Sequence, residues 1–491
     1  MLGAHIGGQL ILDKGTVLRN ASGPALYADD VRVDQMMVLR GKFAGSDADG
    51  VVRLSGGHIG SQLNASGATL TNEERGPALY ADGLRVDQGL YLRGFVASGA
   101  SGDAAVRLVG ADIGGQLDLS RAKLTNEASG PALAADGLRV TRGLYLRGFT
   151  AIGSGELGAV RLPGAHIGGQ LDATDAWLTN TSGAALHADS LHVDENLLLR
   201  GAFVAVGSGE LGAVRLPGAH IGGQLDAAGA VLSNTSGPAL IADALQVGQH
   251  LFLRRGFAAI GAGELGAVRL PNAHIGGQLA VDPSAIKDPG LNPDTLMVDG
   301  LEYAGLPAKV TVDEWLDVLK HQTTKYTPQP YRQLAAATQA AGWDRETRKI
   351  LIAQRRDQLG TTAITDRTER AWAKLTGVVL GYGYQPWRAL LFLLGVVAVA
   401  IALTLGLGSH GGLAHPRGSA SPGSACTTVE QIGVALDLSL PLIKTGARDA
   451  CNTTTTTAGD IITISGWTLQ LAAWALATLF IAGFTSAVRK T

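Results

Sequence analysis

Over the first 300 residues, apolar positions come in short alternating bursts, none long enough for a helix. In the stretch AVRLPGAHIGGQLDA (159–173), Val160, Leu162, Ala165, Ile167, Leu171 and Ala173 fall at i, i+2, i+5, i+7, i+11 and i+13. Two-residue spacing places each pair on one face of a strand. Gly, Asp and Asn fill the breaks, as corners require. The pattern therefore predicts three short strands and three corners per unit. The same apolar positions return at an offset of 26 in ALHADSLHVDENLLL (185–199), where Val160 aligns with Leu186, Ile167 with Val193 and Leu171 with Leu197. The structural step is about 27 residues, and the predicted fold is an all-β solenoid, a parallel β-helix.

A longer beat overlies this step. The HIGGQL motif starts at His5, His58, Asp112, His166, His220 and His274, at spacings of 53, 54, 54, 54 and 54. Asn20, Asn72, Asn126, Asn180 and Asn234 keep the same period, as do the Val-Arg-Leu triplets from Val52 to Val268. The units are thus 54-residue double repeats. About eleven coils at ~4.8 Å per strand give a rod of roughly 50 Å. Gly accounts for 68 of 491 residues and aromatics for 5%. That composition suits thin strands packed with small side chains, and it opposes an α-solenoid. The repeat fades after Gln278, where Pro283, Pro289 and Pro293 are expected to end strand pairing. The chain opens in mid-motif with no cap, which suggests a gene start set too late or an edge covered by a partner. Without a basic n-region or an apolar h-region, export of the solenoid is not expected.

Residues 301–376 change to helical spacing, in DEWLDVLKH (313–321) and from Pro330 to Leu359, with a break at Gly342–Trp343. They predict a short helical linker. Its basic residues, Arg345, Arg348, Lys349, Arg355 and Arg356, read as a solvated face, with a lipid-headgroup contact as the alternative. Residues 377–491 predict a transmembrane hairpin. Uncharged runs cover 389–407 and 461–488, giving helices at about 389–407 and 464–487. Arg367, Arg370, Lys374 and Arg388 precede the first run, and Arg489 and Lys490 follow the second. By the positive-inside rule, the N-terminal solenoid and the C-terminus are cytoplasmic. The loop 409–460 then faces outward and holds both cysteines of the chain, Cys426 and Cys451, for which a disulfide is expected. Within it, Gln431 to Gly446 carries Asp437 and Pro441 and is too short to span, so a re-entrant or interfacial helix is expected.

Net charge is −2, so no global field favours nucleic acid. Three G-x-G-x-x-G strings occur: Gly153, Gly155 and Gly158, then 207–212 and 261–266. A dinucleotide site needs this string between a strand and a helix. Here a solenoid strand follows each, and Glu156, Glu210 and Glu264 would face the phosphates, so the strings read as corner loops. The histidines form a column with Arg32, Arg85, Arg139, His192 and Gln246 in the intervening coils. With members two coils apart, about 9.6 Å, a shared ion is not expected. Gly381–Gly383 has the letters of a potassium filter but precedes the first membrane helix, so it reads as an entry turn. No catalytic residue, cofactor or metal ligand is assigned.

The G-A-H-I-G-G-Q-L and G-P-A-L-x-A-D-x-L-x-V motifs resemble those of a family of bacterial repeat proteins. So do the stretches 326–335, 378–391 and 435–443. These proteins are commonly labelled membrane-associated oxidoreductases. The C-terminal third is similar to pentapeptide-repeat proteins with channel-like ends. The resemblance implies a membrane protein with a cytoplasmic solenoid, and it transfers no redox residue to this chain. The residues themselves favour a membrane-anchored scaffold or sensor that binds a cytoplasmic protein partner. A membrane-associated oxidoreductase and an oligomeric channel are the alternatives.

Overall fold

The computed structural model describes residues 1–262, 266–281, 296–305, 311–323, 326–360, 367–382, 384–416, 422–440 and 444–489. Pro283, Pro289, Pro293, Glu264, Gly383, Pro441 and Lys490, and the side chains of Arg367 and Arg370, lie outside the described residues. The chain divides into two compact units, Met1–Leu351 and Ile352–Thr491.

The first unit is a parallel β-helix. A complete coil carries four strands rather than the expected three. In one coil these are Val160–Arg161, His166–Ile167, Leu171–Asp172 and Trp177–Asn180, which define faces D, A, B and C respectively. Faces A and B join into one 22-stranded sheet, while C and D hold 10 and 11 strands. The fourth strand lies beyond Ala173, where the half-repeat comparison stopped. Pairing is parallel and follows the predicted register: Val160 opposes Leu186, Ile167 opposes Val193 and Leu171 opposes Leu197. One corner is left-handed in successive coils, with φ +64° at Gly164 and φ 54° at Ser190. Gly meets that requirement at no steric cost.

The double repeat has a packing cause. Thr150 opposes both Lys123 and Trp177, so Phe149 lies between Ala122 and Ala176. On the adjacent inward position Ala151 lies between Leu124 and Leu178. Large and small residues thus alternate from coil to coil, and each layer holds one bulky and one small side chain. All of these residues are buried. Close-packed interiors reward such interdigitation. The first repeat exchanges the two positions, with Gly41 beside a buried Phe43 that stands between Leu18 and Leu70.

Pairing continues past Gln278, contrary to expectation. Leu296–Met297 extends face D, and Glu302–Gly305 extends face A. Three helices follow: α1 (Val312–His321), α2 (Pro328–Ala340) and α3 (Asp344–Gly360). Instead of forming a separate linker, α1 and α2 close the end of the β-helix. Trp315, Val318, Leu319, Tyr331 and Leu334 join the solenoid core. The last coil has orphan backbone groups, which two glutamines satisfy. Gln329 accepts from Gly300 N at 3.0 Å and donates to Leu301 O at 2.9 Å, and Gln333 donates to Tyr303 O at 2.7 Å. Side-chain amides here do what the next strand would have done. Gly342, at φ +75°, separates α2 from α3 at the predicted break.

The second unit holds α4 (Arg367–Leu380), α5 (Trp387–Leu407), α6 (Thr428–Ser439), a short turn α7 (Ala447–Ala450) and α8 (Thr457–Arg489). The stretches Trp387–Gly412 and Thr457–Thr485 are long and apolar enough to cross a membrane. Their apolar side chains are largely uncovered: Leu471 is 72% exposed, Trp467 61% and Ile481 60%. In water such surface would cost about 25 cal/mol per Å².

Candidate functional site

The solenoid exposes ladders of like-placed side chains. On face D each Val-Arg-Leu arginine reaches back one coil to an Asp. Arg53 meets Asp29 at 2.5 Å, Arg107 meets Asp82 at 2.5 Å, Arg215 meets Asp189 at 2.5 Å and Arg269 meets Asp243 at 2.6 Å. Arg161 pairs with Asp136 in the same way. These aspartates include the Asp of the G-P-A-L-x-A-D-x-L-x-V motif, at Asp82 and Asp136, but their pairing with the triplet arginines was not legible from the sequence. Asp189 is the most perturbed member. Partial burial works against its charge, yet bonds from His187 and Arg215 hold it down to about 2.

Face A carries the histidine column. Neighbouring positions run His5, Arg32, His58, Arg85 and, further on, Arg139, His166, His192, His220, Gln246, His274. In three of these pairs an Asp two residues after the intervening residue clamps the two side chains; after Arg139 and Gln246 that position holds Thr141 and Gly248. Asp34 accepts from His5 Nε2 at 2.9 Å and Arg32 Nε at 3.1 Å. Asp87 accepts from His58 Nε2 at 3.0 Å and Arg85 Nε at 3.4 Å. In the third such clamp, His192 stands where those arginines stand. Asp194 Oδ1 lies 3.1 Å from His166 Nε2 and 3.0 Å from His192 Nε2. Ring centroids are 4.8 Å apart from His166 to His192 and 4.7 Å from His192 to His220. His166 and His220 stand two coils apart, as expected; the close contacts arise because the intervening residue here is itself a histidine.

The string Gly153–Gly158 lies between strands Thr150–Gly153 and Val160–Arg161. Gly158, at φ +125°, turns the chain onto face D. The string 207–212 occupies the same corner between Val204–Gly207 and Val214–Arg215. Neither opens a helix. Glu264, within the third string, lies outside the described residues.

Comparison with protein-family models, with curated proteins and with solved structures finds no match.

In the second unit, Cys426 and Cys451 form a disulfide. Cys451 is fully buried among Leu413, Val434, Leu438 and Ile462. His415 Nε2 meets Glu430 at 3.3 Å beside Cys426, but that sulfur is bonded and offers no thiolate. The segment expected to be re-entrant, 431–446, holds most of α6, which begins earlier at Thr428. A Cβ on Gly408 would meet Gln431 at 3.0 Å, and one on Gly466 would meet Leu438 at 2.4 Å. So α6 turns back along the two apolar helices. At the start of α5, an open cleft of about 710 Å³ is lined by Arg356, Lys374, Arg388, Tyr382 and Trp387 over Leu391 and Phe392.

Proposed function

We propose that this chain is a membrane-tethered scaffold or sensor, whose β-solenoid offers a protein-binding face on the cytoplasmic side. The observation that carries this reading is the in-register ladder of imidazole, guanidinium and carboxylate groups along face A. A solenoid repeats its surface at strand spacing and so matches an extended partner. The two apolar helices supply the tether. Sidedness rests on two supports. The cleft at the start of α5 gathers three cations with interfacial aromatics, a composition suited to anionic headgroups of the cytoplasmic leaflet. The Cys426–Cys451 disulfide belongs to an oxidising compartment.

Photo-cross-linking from position 85 on face A in intact cells tests this reading. A discrete adduct absent when the probe is moved to the buried position 151 supports it. Cross-linking to nothing but lipid and solvent-exposed bystanders overturns it. Nicotinamide and flavin added to the purified protein, read by thermal shift, test the oxidoreductase alternative.

The packing of α6 against both apolar helices favours a second reading, an oligomeric channel with α6 as a re-entrant element. A pore needs several such hairpins, so a strictly monomeric particle in detergent excludes it.

A further inference from the structure

We propose that His166, His192 and Asp194 form a binding site for a divalent transition-metal ion of the zinc class on face A of the solenoid. The chain carries its own internal controls. The clamps at Asp34 and Asp87 each contain one histidine and one arginine. A guanidinium carries a permanent charge that cancels the carboxylate, and it has no lone pair to give a metal. At Asp194 the arginine is replaced by His192, so the permanent positive charge is gone and a second donor nitrogen takes its place. With neutral imidazoles the cluster carries the single negative charge of Asp194.

The distances suit an ion. Zinc bonds nitrogen at ~2.0–2.1 Å and carboxylate oxygen at ~2.0–2.2 Å. Neighbouring ligands around it are then roughly 2.9–3.4 Å apart. The two imidazole nitrogens stand 3.1 and 3.0 Å from Asp194 Oδ1. All three ligand atoms lie within 4.8 Å of one another, so a small rotation of exposed rings closes the third edge. His166, His192 and Asp194 are each about half exposed, at 52%, 46% and 45%. That leaves an open coordination position for water or an exogenous ligand. Two imidazoles and a carboxylate favour zinc, nickel, copper or cobalt over magnesium or calcium. His220 stacks on His192 and engages Gln246 Oε1 at 3.3 Å, so it supports the ring rather than joining the ligand set. Arg139 lies one coil beyond His166, on the side away from Asp194.

The test uses the full chain, purified in detergent and freed of metal. Co²⁺ is titrated while its visible absorption is followed, and Zn²⁺ is then used to displace it. One saturable ion per chain is expected. His192→Arg copies the residue that the fold already accepts at Arg32 and Arg85, so the solenoid is retained. It should weaken binding by more than the roughly 10–100-fold that loss of an outer-shell partner costs. Asp194→Asn should do the same, while His58→Ala should change nothing. Arg85→His rebuilds the cluster at Asp87 and should raise the stoichiometry from one ion to two. No saturable cobalt binding by the unaltered protein, or equal binding by His192→Arg with its circular dichroism unchanged, overturns the proposal.

Discussion

Asn180 donates from its buried carboxamide to the carbonyl of Gly155, one coil earlier, at 2.8 Å. The same nitrogen donates to Ala184 O at 2.8 Å, and its oxygen accepts from Ser182 N at 3.1 Å. Asn126 and Asn234 make the same bonds two coils away on either side. One coil before each of these asparagines the ladder places a glycine: Asn180 opposes Gly153, and Asn234 opposes Gly207. A Cβ at Gly153 would come within 3.0 Å of the Ala159 backbone. The strings 153–158 and 207–212 are thus corners stapled by asparagine.

Removing the staple leaves buried backbone groups unmatched, at about 1–3 kcal/mol. Asn180→Ala should therefore lower the denaturation midpoint of the solenoid. Asn20→Ala is the control, because Asn20 is exposed. Urea unfolding followed by circular dichroism distinguishes the two, and equal effects would contradict the staple.

Phe149→Ala should cost about 3–5 kcal/mol, since Ala122 and Ala176 cannot fill the space. The double substitution Phe149→Gly with Ala151→Phe copies the arrangement at Gly41 and Phe43. It should recover a large part of that loss, measured by the same unfolding experiment.

Acid stability should report Asp189. Its folded value of about 2 lies below the ordinary 3.8, so its contribution is present above the ordinary value. That contribution is lost as pH falls from about 4 toward 2. Asp118 and Asp172 are lowered too: burial opposes their charge, but bonds from Ser120 and Thr174 and from Arg93 and Arg147 outweigh it. The thermal midpoint should be flat above about pH 5 and fall below pH 4. Asp189→Asn should remove part of that slope.

How much of this was legible differs from element to element. The coil length and register were, because Leu, Ile and Val alternate on faces A, B and D. Face C was not, because its Ala176, Leu178 and Asn180 change size from coil to coil and defeat a 26-residue comparison. The Gln329 and Gln333 cap was hidden, since nothing in a helical sequence marks a carboxamide aimed at a strand edge. The place of His192 in the column was legible, but the third clamp was not, because nothing in the sequence marks Asp194 as bridging His192 and His166. The apolar spans were legible to within about seven residues, because length and absence of charge decide them.

Replacing Cys426 and Cys451 with serine opens a connection of 25 residues. The chain-entropy scale assigns such a closure about 3 kcal/mol. Limited proteolysis should then cut between α5 and α8 much faster, while the solenoid remains intact. Unchanged cleavage would show that packing of Val434, Leu438 and Ile462 holds the segment without the bridge.

The rod itself is tested most directly by distances between spin labels on face A, with the native disulfide left oxidised. Labels at Arg85 and Gln246 are six coils apart in the ladder, or about 29 Å; labels at Arg32 and Gln246 are eight coils apart, or about 38 Å. A β-helix predicts two narrow distributions whose centres differ by about 10 Å. Broad distributions, or a separation that does not grow with the number of intervening coils, would contradict it.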